Sequence, residues 1–317
     1  KGGRSYYALD VHNPFTPALK WSMVPDEAAS LPASRIVSGG PTLGTVTDIL
    51  GKWGFSTCTP AFGRIQFNNV IRDAVFLGGG FSVPEIEANF SNTKLGRSVM
   101  AIDVYSGEVL AASDLTDGSI GGATVGPVSA GIIPFEFVLN SGMAQRAYFL
   151  DYRGGLWSWG SKAVASSAPY VDFRQDSSQI TSWKIRKVFQ DDDAVGKGAR
   201  YTTLPAPFRV GSFPGVGKTG SAAPTAAGIA IVSGDRNNPL DREYDASNPS
   251  PVNHRLTVVF DRQDSRAWNF DTATGPDNGI RFANLKDFSN NIVSSTPANA
   301  CSDTVFGPIT PGSPNYY

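Results

Sequence analysis

Two clusters of acidic and amide side chains come nearest, by residue type and spacing, to metal chemistry in this sequence. Their members are Asp191, Asp192 and Asp193 in the first cluster, and Asp235, Asn237, Asp241 and Asp245 in the second. Calcium is the one ion they could bind, since it needs only oxygen ligands on a flexible loop. Neither cluster has the complete Asp-x-Asp-x-Asp-Gly loop with its closing Glu, and an exposed acidic turn is the commoner explanation. We predict no firm metal site and keep as weak calcium candidates Asp191, Asp193, Asp235, Asn237 and Asp241.

Other residues that could do chemistry are too scattered to form a site. His12 and His254 lie near opposite ends of the chain and lack the spacing of metal ligands. The segment 214–220 resembles the end of a phosphate-binding loop, but Ser212 stands where that loop requires its first glycine. No Gly-x-Ser-x-Gly sequence occurs, and no carboxylate pair stands out as general acid and base. We therefore predict no catalytic or cofactor-binding residues and a chain that is not an enzyme.

The composition favours many short strands joined by tight turns. Only 17% of the residues are charged, whereas the chain has 34 glycines, 22 prolines and 11% aromatic residues. Lys and Arg (27) nearly balance Asp and Glu (28), so no net field would attract nucleic acid or an anionic membrane surface. No apolar run approaches the roughly 18 residues that a membrane span needs. We expect no nucleic-acid partner, no membrane span and little helix, with the best short helical pattern at 280–291.

A weak repeat runs through the sequence. Four strand-like segments each end in an aspartate that precedes a turn, namely Asp10, Asp103, Asp151 and Asp261. The spacings fit one or two units of roughly 45–55 residues, the size of a propeller blade. An aspartate at such a position can accept hydrogen bonds from the amides of the turn. We predict that the four aspartates are structural and occupy equivalent strand-end turns of different blades.

The repeat predicts an all-β chain that folds as a β-propeller. A blade buries its faces only against neighbouring blades, and the chain length allows about seven blades with long loop insertions. We expect one propeller domain over residues 1–317, as a fragment of a longer protein. Cys58 and Cys301 are too far apart in sequence for a zinc-type pair. A disulfide that joins the two ends of the ring and two separate buried thiols both remain open.

With the repeat in view, the chain resembles the C-terminal propeller of the PilY/PilC family, the tip-associated adhesins and assembly factors of bacterial type IV pili. The strongest likeness is AYFLDYRGGLWSWG at 147–160, which is similar to the family's Tyr-Ala-Gly-Asp-x-x-Gly-Asn-Leu-Trp segment. Further segments follow the family's order nearly from end to end, at 2–14, 53–65, 72–81, 98–110, 227–237 and 255–263.

This resemblance implies an exported binding and assembly module at the pilus tip or the outer cell surface. Its implied partners are minor pilins and other pilus tip proteins, with a host or surface ligand as a second class. The strands of a propeller are committed to packing, so the loops at 81–96, 190–200 and 235–253 are expected to form the binding face. Two different functions stay open: a quinone-dependent dehydrogenase propeller, which a quinone-like absorbance would reveal, and a purely structural module of a surface fibre.

The chain departs from the family at one functional feature. Family members often carry a calcium-binding Asp-x-Asp-x-Asp-Gly loop, linked to pilus extension and retraction, just before the segment that here begins at Ala147. The corresponding residues 132–146 contain Glu136 as their only carboxylate. A divalent ion held by one carboxylate is poorly neutralised, so we predict that the calcium site of the family is lost here.

Overall fold

A computed structural model describes most of the first half of the chain and shorter stretches beyond it. The described residues are 3–25, 31–82, 94–116, 125–136, 141–161, 179–191, 201–210, 226–234, 256–261 and 280–281. Strands dominate this part of the chain, and the predicted all-β class is confirmed. None of its helices is long and apolar enough to cross a membrane.

The strands follow one another as antiparallel neighbours. In chain order they are β1 (Tyr6–Asp10), β2 (Ala18–Met23), β3 (Ala61–Phe67), β4 (Val70–Gly78), β5 (Ser98–Asp103), β6 (Val109–Asp114), β7 (Ile132–Phe135), β8 (Arg146–Leu150), β9 (Gly155–Ser161), β10 (Trp183–Gln190), β11 (Ala206–Val210), β12 (Ala226–Val232), β13 (Leu256–Asp261) and β14 (Ile280–Arg281). They form four sheets, ordered β1-β2, β3-β4-β5-β6, β7-β8-β9-β10-β14 and β11-β12-β13. Every pair is antiparallel except β10 and β14, which run parallel.

The described part of the chain contains one α-helix, α1 (Leu43–Gly51), which lies between β2 and β3. Its amino end is capped by Thr42, whose Oγ1 accepts a hydrogen bond from the Thr45 N–H at 3.2 Å. Its buried residues are Val46, Ile49 and Leu50, which the helical period places on one face. The prediction of a short helix at 280–291 is wrong for its first two residues. These residues form β14, which pairs with β10 at the edge of a sheet.

The sheets stack in chain order, and three apolar clusters lie between the layers. The first cluster lies between the β3–β6 sheet and the β7–β10 sheet, the second between β8–β10 and the β11–β13 sheet, and the third between β1, β2 and α1 and the other face of β4–β6. Along β4, Ala74 and Phe76 point into the first cluster, while Val75 and Leu77 point into the third. Both faces of the central strands are therefore buried, which explains their nearly continuous apolar sequences.

Aromatic side chains fill the first cluster. The Trp159 ring lies 6.0 Å from that of Phe76 and 5.8 Å from that of Trp183, both in edge-to-face geometry. Trp157, two residues before Trp159 on the same face of β9, is fully buried in the same cluster. These tryptophans join two sheets and offer no exposed platform for a carbohydrate ring.

Cys58 is a free cysteine, 3% exposed, that packs against the end of β4. Its Sγ accepts a hydrogen bond from the Gly78 N–H at 3.1 Å. Burial raises the pKa of the thiol to about 12, and this N–H offsets only part of the shift. Cys301 lies outside the described residues.

We expect the folded protein to protect the Cys58 thiol from alkylation. In a Cys301→Ser variant at pH 8, Cys58 should react with a maleimide at least about 1,000-fold more slowly than in urea, because only the thiolate is nucleophilic. Cys58→Ser in the same background serves as the blank. Labelling of the native protein at the rate of an unfolded thiol would contradict the buried placement.

Candidate functional site

Asp10 and Asp103 each cap the turn that follows their strand. The Asp10 Oδ1 accepts a hydrogen bond from the His12 N–H at 2.9 Å, and this N–H is the main reason why the pKa of Asp10 is lowered. The Asp103 Oδ1 accepts from the N–H groups of Tyr105 and Ser106, both at 2.9 Å. These contacts are local Asx-type turns, in which the carboxylate replaces a backbone carbonyl.

Asp151 follows β8 and is more deeply placed, with 1% of its surface exposed. Its Oδ1 accepts from the N–H groups of Arg153 at 2.7 Å and Gly155 at 3.1 Å, and its Oδ2 accepts from the Trp157 indole N–H at 2.7 Å. Burial raises the pKa of Asp151, although the Trp157 and Gly155 donors oppose the shift. One carboxylate thus joins the turn to a tryptophan of the first apolar cluster.

Asp261 ends β13 and is used differently, because its partners come from another sheet. The Tyr148 hydroxyl donates to its Oδ2 at 2.8 Å, the Arg186 guanidinium donates to its Oδ1, and the Arg146 Nη1 lies 3.7 Å from Oδ2. Arg146 also donates to the Ser158 hydroxyl at 3.0 Å. We call Asp261, Arg146, Arg186 and Tyr148 the inter-sheet network, since it connects β13 to β8 and β10.

The inter-sheet network places two guanidinium groups around one buried carboxylate, that of Asp261. Arg146 is fully buried, Arg186 is 7% exposed and Asp261 is 2% exposed. Burial lowers the pKa of Arg186 while the Asp261 carboxylate opposes that shift, and burial together with Asp261 raises the pKa of Tyr148 well above its usual value. Tyr148 is therefore a neutral donor, and Asp261 is the carboxylate that both guanidinium groups face.

The structure places these four aspartates at strand ends, and their equivalence around a ring stays a prediction. Asp191, the first of the weak calcium candidates, is fully buried, and the Tyr201 hydroxyl donates to its Oδ2 at 2.6 Å. Four further calcium candidates, Asp193, Asp235, Asn237 and Asp241, lie outside the described residues. Within the ranges that the structure describes, no three His, Cys, Asp or Glu side chains group as metal ligands would.

Glu136, the one carboxylate of 132–146, is already engaged. Its Oε1 accepts from the Gly142 N–H at 2.9 Å and the Ser141 hydroxyl at 3.1 Å. Its backbone carbonyl accepts from the Arg209 Nε at 2.9 Å, so a guanidinium cation already lies beside this loop. A divalent cation here would have to displace these donors and would be repelled by Arg209.

We therefore expect that residues 132–146 do not bind calcium. Millimolar calcium or a chelator should change the melting temperature of the wild type and of Glu136→Gln by the same amount. A calcium-dependent rise in melting temperature that disappears only in Glu136→Gln would overturn the prediction. A rise that persists in this variant would locate the ion elsewhere in the chain.

The sequence analysis did not identify the two arginines of the inter-sheet network. Arg146 and Arg186 belong to none of the motifs or repeats. Arg146 begins a strand that is otherwise apolar and buried, whereas Arg186 lies in a strand that also contains two lysines. An arginine is almost never fully buried without a partner, so the position of Arg146 in an apolar strand is a usable signal. The signal indicates that a carboxylate is needed, but it does not say that the carboxylate is Asp261.

Comparisons with known proteins give a structural likeness and no family. Among solved structures, the C-terminal domain of PilY1 from Pseudomonas aeruginosa is similar to this chain, with a TM-score of 0.49 and 18% sequence identity. The likeness covers 90% of this chain and 47% of that one, so this chain spans about half the length of its structural neighbour. No protein family and no curated protein matches the sequence. Membership of the PilY/PilC family therefore stays a prediction from the sequence segments.

Proposed function

We propose that this chain is a binding and assembly module of type IV pili, exported to the pilus tip or the outer cell surface. The observation that carries the proposal is the ordered series of PilY/PilC-like segments, above all residues 147–160. In the structure this segment forms β8, the turn held by Asp151, and β9. Its glycine at 155 and its tryptophan at 157 both contact the Asp151 carboxylate, so the motif has a coherent structural basis.

We further propose that the chain is a propeller of about seven blades. Two successive four-stranded antiparallel meanders, β3–β6 and β7–β10, support this proposal, because such a meander is the repeating unit of a propeller. The stacking of each sheet on the next in chain order is the packing that blades require.

We propose recognition without catalysis, through loops outside the sheets. The buried carboxylates Asp151, Asp191 and Asp261 each accept hydrogen bonds from nearby donors, which suits a structural role. The central strands bury both faces, so a partner can contact these strands only at their ends or through the loops that join them. The loops at 81–96, 190–200 and 235–253 remain the proposed binding face. Only the ends of the first two loops lie within the described residues, and 235–253 lies outside them.

A pull-down of the 317-residue chain against the minor pilins of its own organism tests this function. We expect capture of at least one minor pilin, with the loss of capture when one of the three loops is replaced by a short Gly-Ser linker. Shortening 211–224, a segment that is not one of the three proposed loops, is the matched control, and the melting temperature verifies folding. Failure of the wild type to bind any pilus protein would refute the proposal, and a quinone-like absorbance would favour the dehydrogenase function instead.

A further inference from the structure

The described strands divide the loops of this chain between two ends of the stacked sheets. β4, β8, β10 and β12 finish at one end, which we call the loop end, whereas their antiparallel neighbours β5, β9 and β13 finish at the opposite end. We propose that a folded protein partner docks on the loop end. This inference rests on the proposed function in type IV pili and adds to it the place and the kind of contact.

Backbone hydrogen bonds bring the ends of β4, β8 and β10 together. The Gly80 N–H, just after β4, and the Tyr152 N–H, just after β8, donate to the carbonyls of the 127–128 segment at 3.0 and 2.9 Å. The Asp191 N–H, just after β10, donates to the Gly154 carbonyl at 3.0 Å, in the same turn as Tyr152. These three strands therefore finish at the same end of the sheets.

The end of β12 joins the same group through Tyr201. The Tyr201 hydroxyl donates to the Asp191 Oδ2 at 2.6 Å, and the Tyr201 backbone forms a parallel bridge with Gly234, just after β12. The Thr202 hydroxyl also donates to the Gly234 carbonyl at 3.0 Å. Asp191 and Gly234 are thus held at the loop end by one short segment, 201–202.

The three loops of the proposed binding face all leave from this end. One follows β4, one follows β10 and one follows β12, whose last residues lie at the loop end. The segment 211–224 follows β11, which is antiparallel to β12, and leaves from the opposite end. The shared position of the three loops is the observation that favours the loop end as the docking surface.

The described residues of the loop end include an aromatic group, Phe55, Phe81 and Tyr152. Phe55 and Phe81 pair as a short antiparallel bridge, with N–H to carbonyl distances of 2.7 and 2.9 Å. The Phe81 ring contacts that of Tyr152 edge to face, with centroids 5.5 Å apart. Tyr152 is buried, whereas Phe55 is 42% exposed. An aromatic residue on an ordered backbone loses little conformational entropy on binding, so Phe55 has the properties of an anchor residue.

The charges at the loop end favour a protein partner over nucleic acid or a membrane. The exposed Arg4 donates from its Nη2 to the Trp53 carbonyl at 2.7 Å, two residues before Phe55, and Arg153 lies in the turn after β8. The segment 191–193, by contrast, is three consecutive aspartates. An aromatic centre with arginines and a mixed polar rim is typical of protein–protein interfaces. Nucleic acid and anionic lipid select a uniformly basic surface instead.

Binding of the 317-residue chain to a purified minor pilin of its own organism, measured by biolayer interferometry, tests this docking surface. Phe55→Ser should weaken the affinity at least about tenfold, because an anchor residue contributes a large share of the binding energy. Tyr105→Ser is the matched control and should bind like the wild type, since Tyr105 is a 72% exposed aromatic residue in the turn after β5, at the opposite end. The melting temperature of each variant reports its folding.

A photoreactive benzoyl-phenylalanine in place of Phe55 or of Tyr105 gives a second test, which keeps an aromatic ring at each site. The probe at 55 should cross-link to the pilin, and the probe at 105 should not. Equal affinities of Phe55→Ser and Tyr105→Ser, or cross-linking from 105 alone, would overturn the loop end as the docking surface and leave the proposed function intact. A wild type that binds no minor pilin would refute both.

Discussion

Asp261→Ala is expected to lower the free energy of unfolding by about 3–5 kcal/mol, the usual effect of removing one partner from a buried ion pair. The substitution leaves Arg146 and Arg186 facing each other in a buried site without their shared carboxylate. It also removes the acceptor of the Tyr148 hydroxyl. Urea titration followed by circular dichroism would measure the loss.

Asp10→Ala is the matched control for this substitution. Asp10 also ends a strand, but its carboxylate is partly exposed and its ion pair with Lys20 is on the surface. Solvent and salt screen an exposed pair, so this variant should remain near the wild type. If Asp261→Ala were no less stable than Asp10→Ala, the inter-sheet network would not stabilise the fold.

Asp151→Ala is expected to destabilise the protein by about 3–4 kcal/mol, since a buried donor left without an acceptor costs about 1–3 kcal/mol. Several donors lose their acceptor together, among them the backbone N–H groups of Arg153 and Gly155 and the indole N–H of Trp157. The same urea titration, with tryptophan fluorescence as a second probe, measures this loss.

A double-mutant cycle with Trp157→Phe would assign part of that loss to one hydrogen bond. Trp157→Phe keeps an aromatic ring in the cluster but removes the indole N–H that donates to Asp151. The two substitutions should be less than additive by about 1 kcal/mol or more, because each removes the same contact. Strict additivity would show that the Asp151–Trp157 hydrogen bond contributes nothing to stability.

Local signals predicted much of the sheet structure. The strand, aspartate and glycine pattern of 147–160 forms β8, a turn and β9, because the Arg153, Gly155 and Trp157 donors of Asp151 all lie within six residues of it along the chain. Asp261 carries the same local pattern, yet its partners Arg146 and Arg186 are far away in sequence. Periodicity can show that such a residue is buried, but it cannot identify a partner on another sheet.

The helix α1 shows how packing can override local preference. Its sequence LGTVTDILG contains Thr45, Val46, Thr47 and Ile49, which are β-branched and favour strands. The cap at Thr42 and the burial of Val46, Ile49 and Leu50 nevertheless give a helix. Tertiary contacts decide in such a segment, and these were not visible in the sequence.

The parallel pairing of β14 with β10 has a consequence for the order of folding. Phe189 lies opposite Ile280, and the whole β11–β13 sheet is encoded between them. Each antiparallel hairpin before β10 closes a much shorter loop and can form while the chain is still being synthesised. We expect the β10–β14 pair to be among the last contacts formed, so a kinetic probe near Ile280 should report a slower phase than one near Trp157.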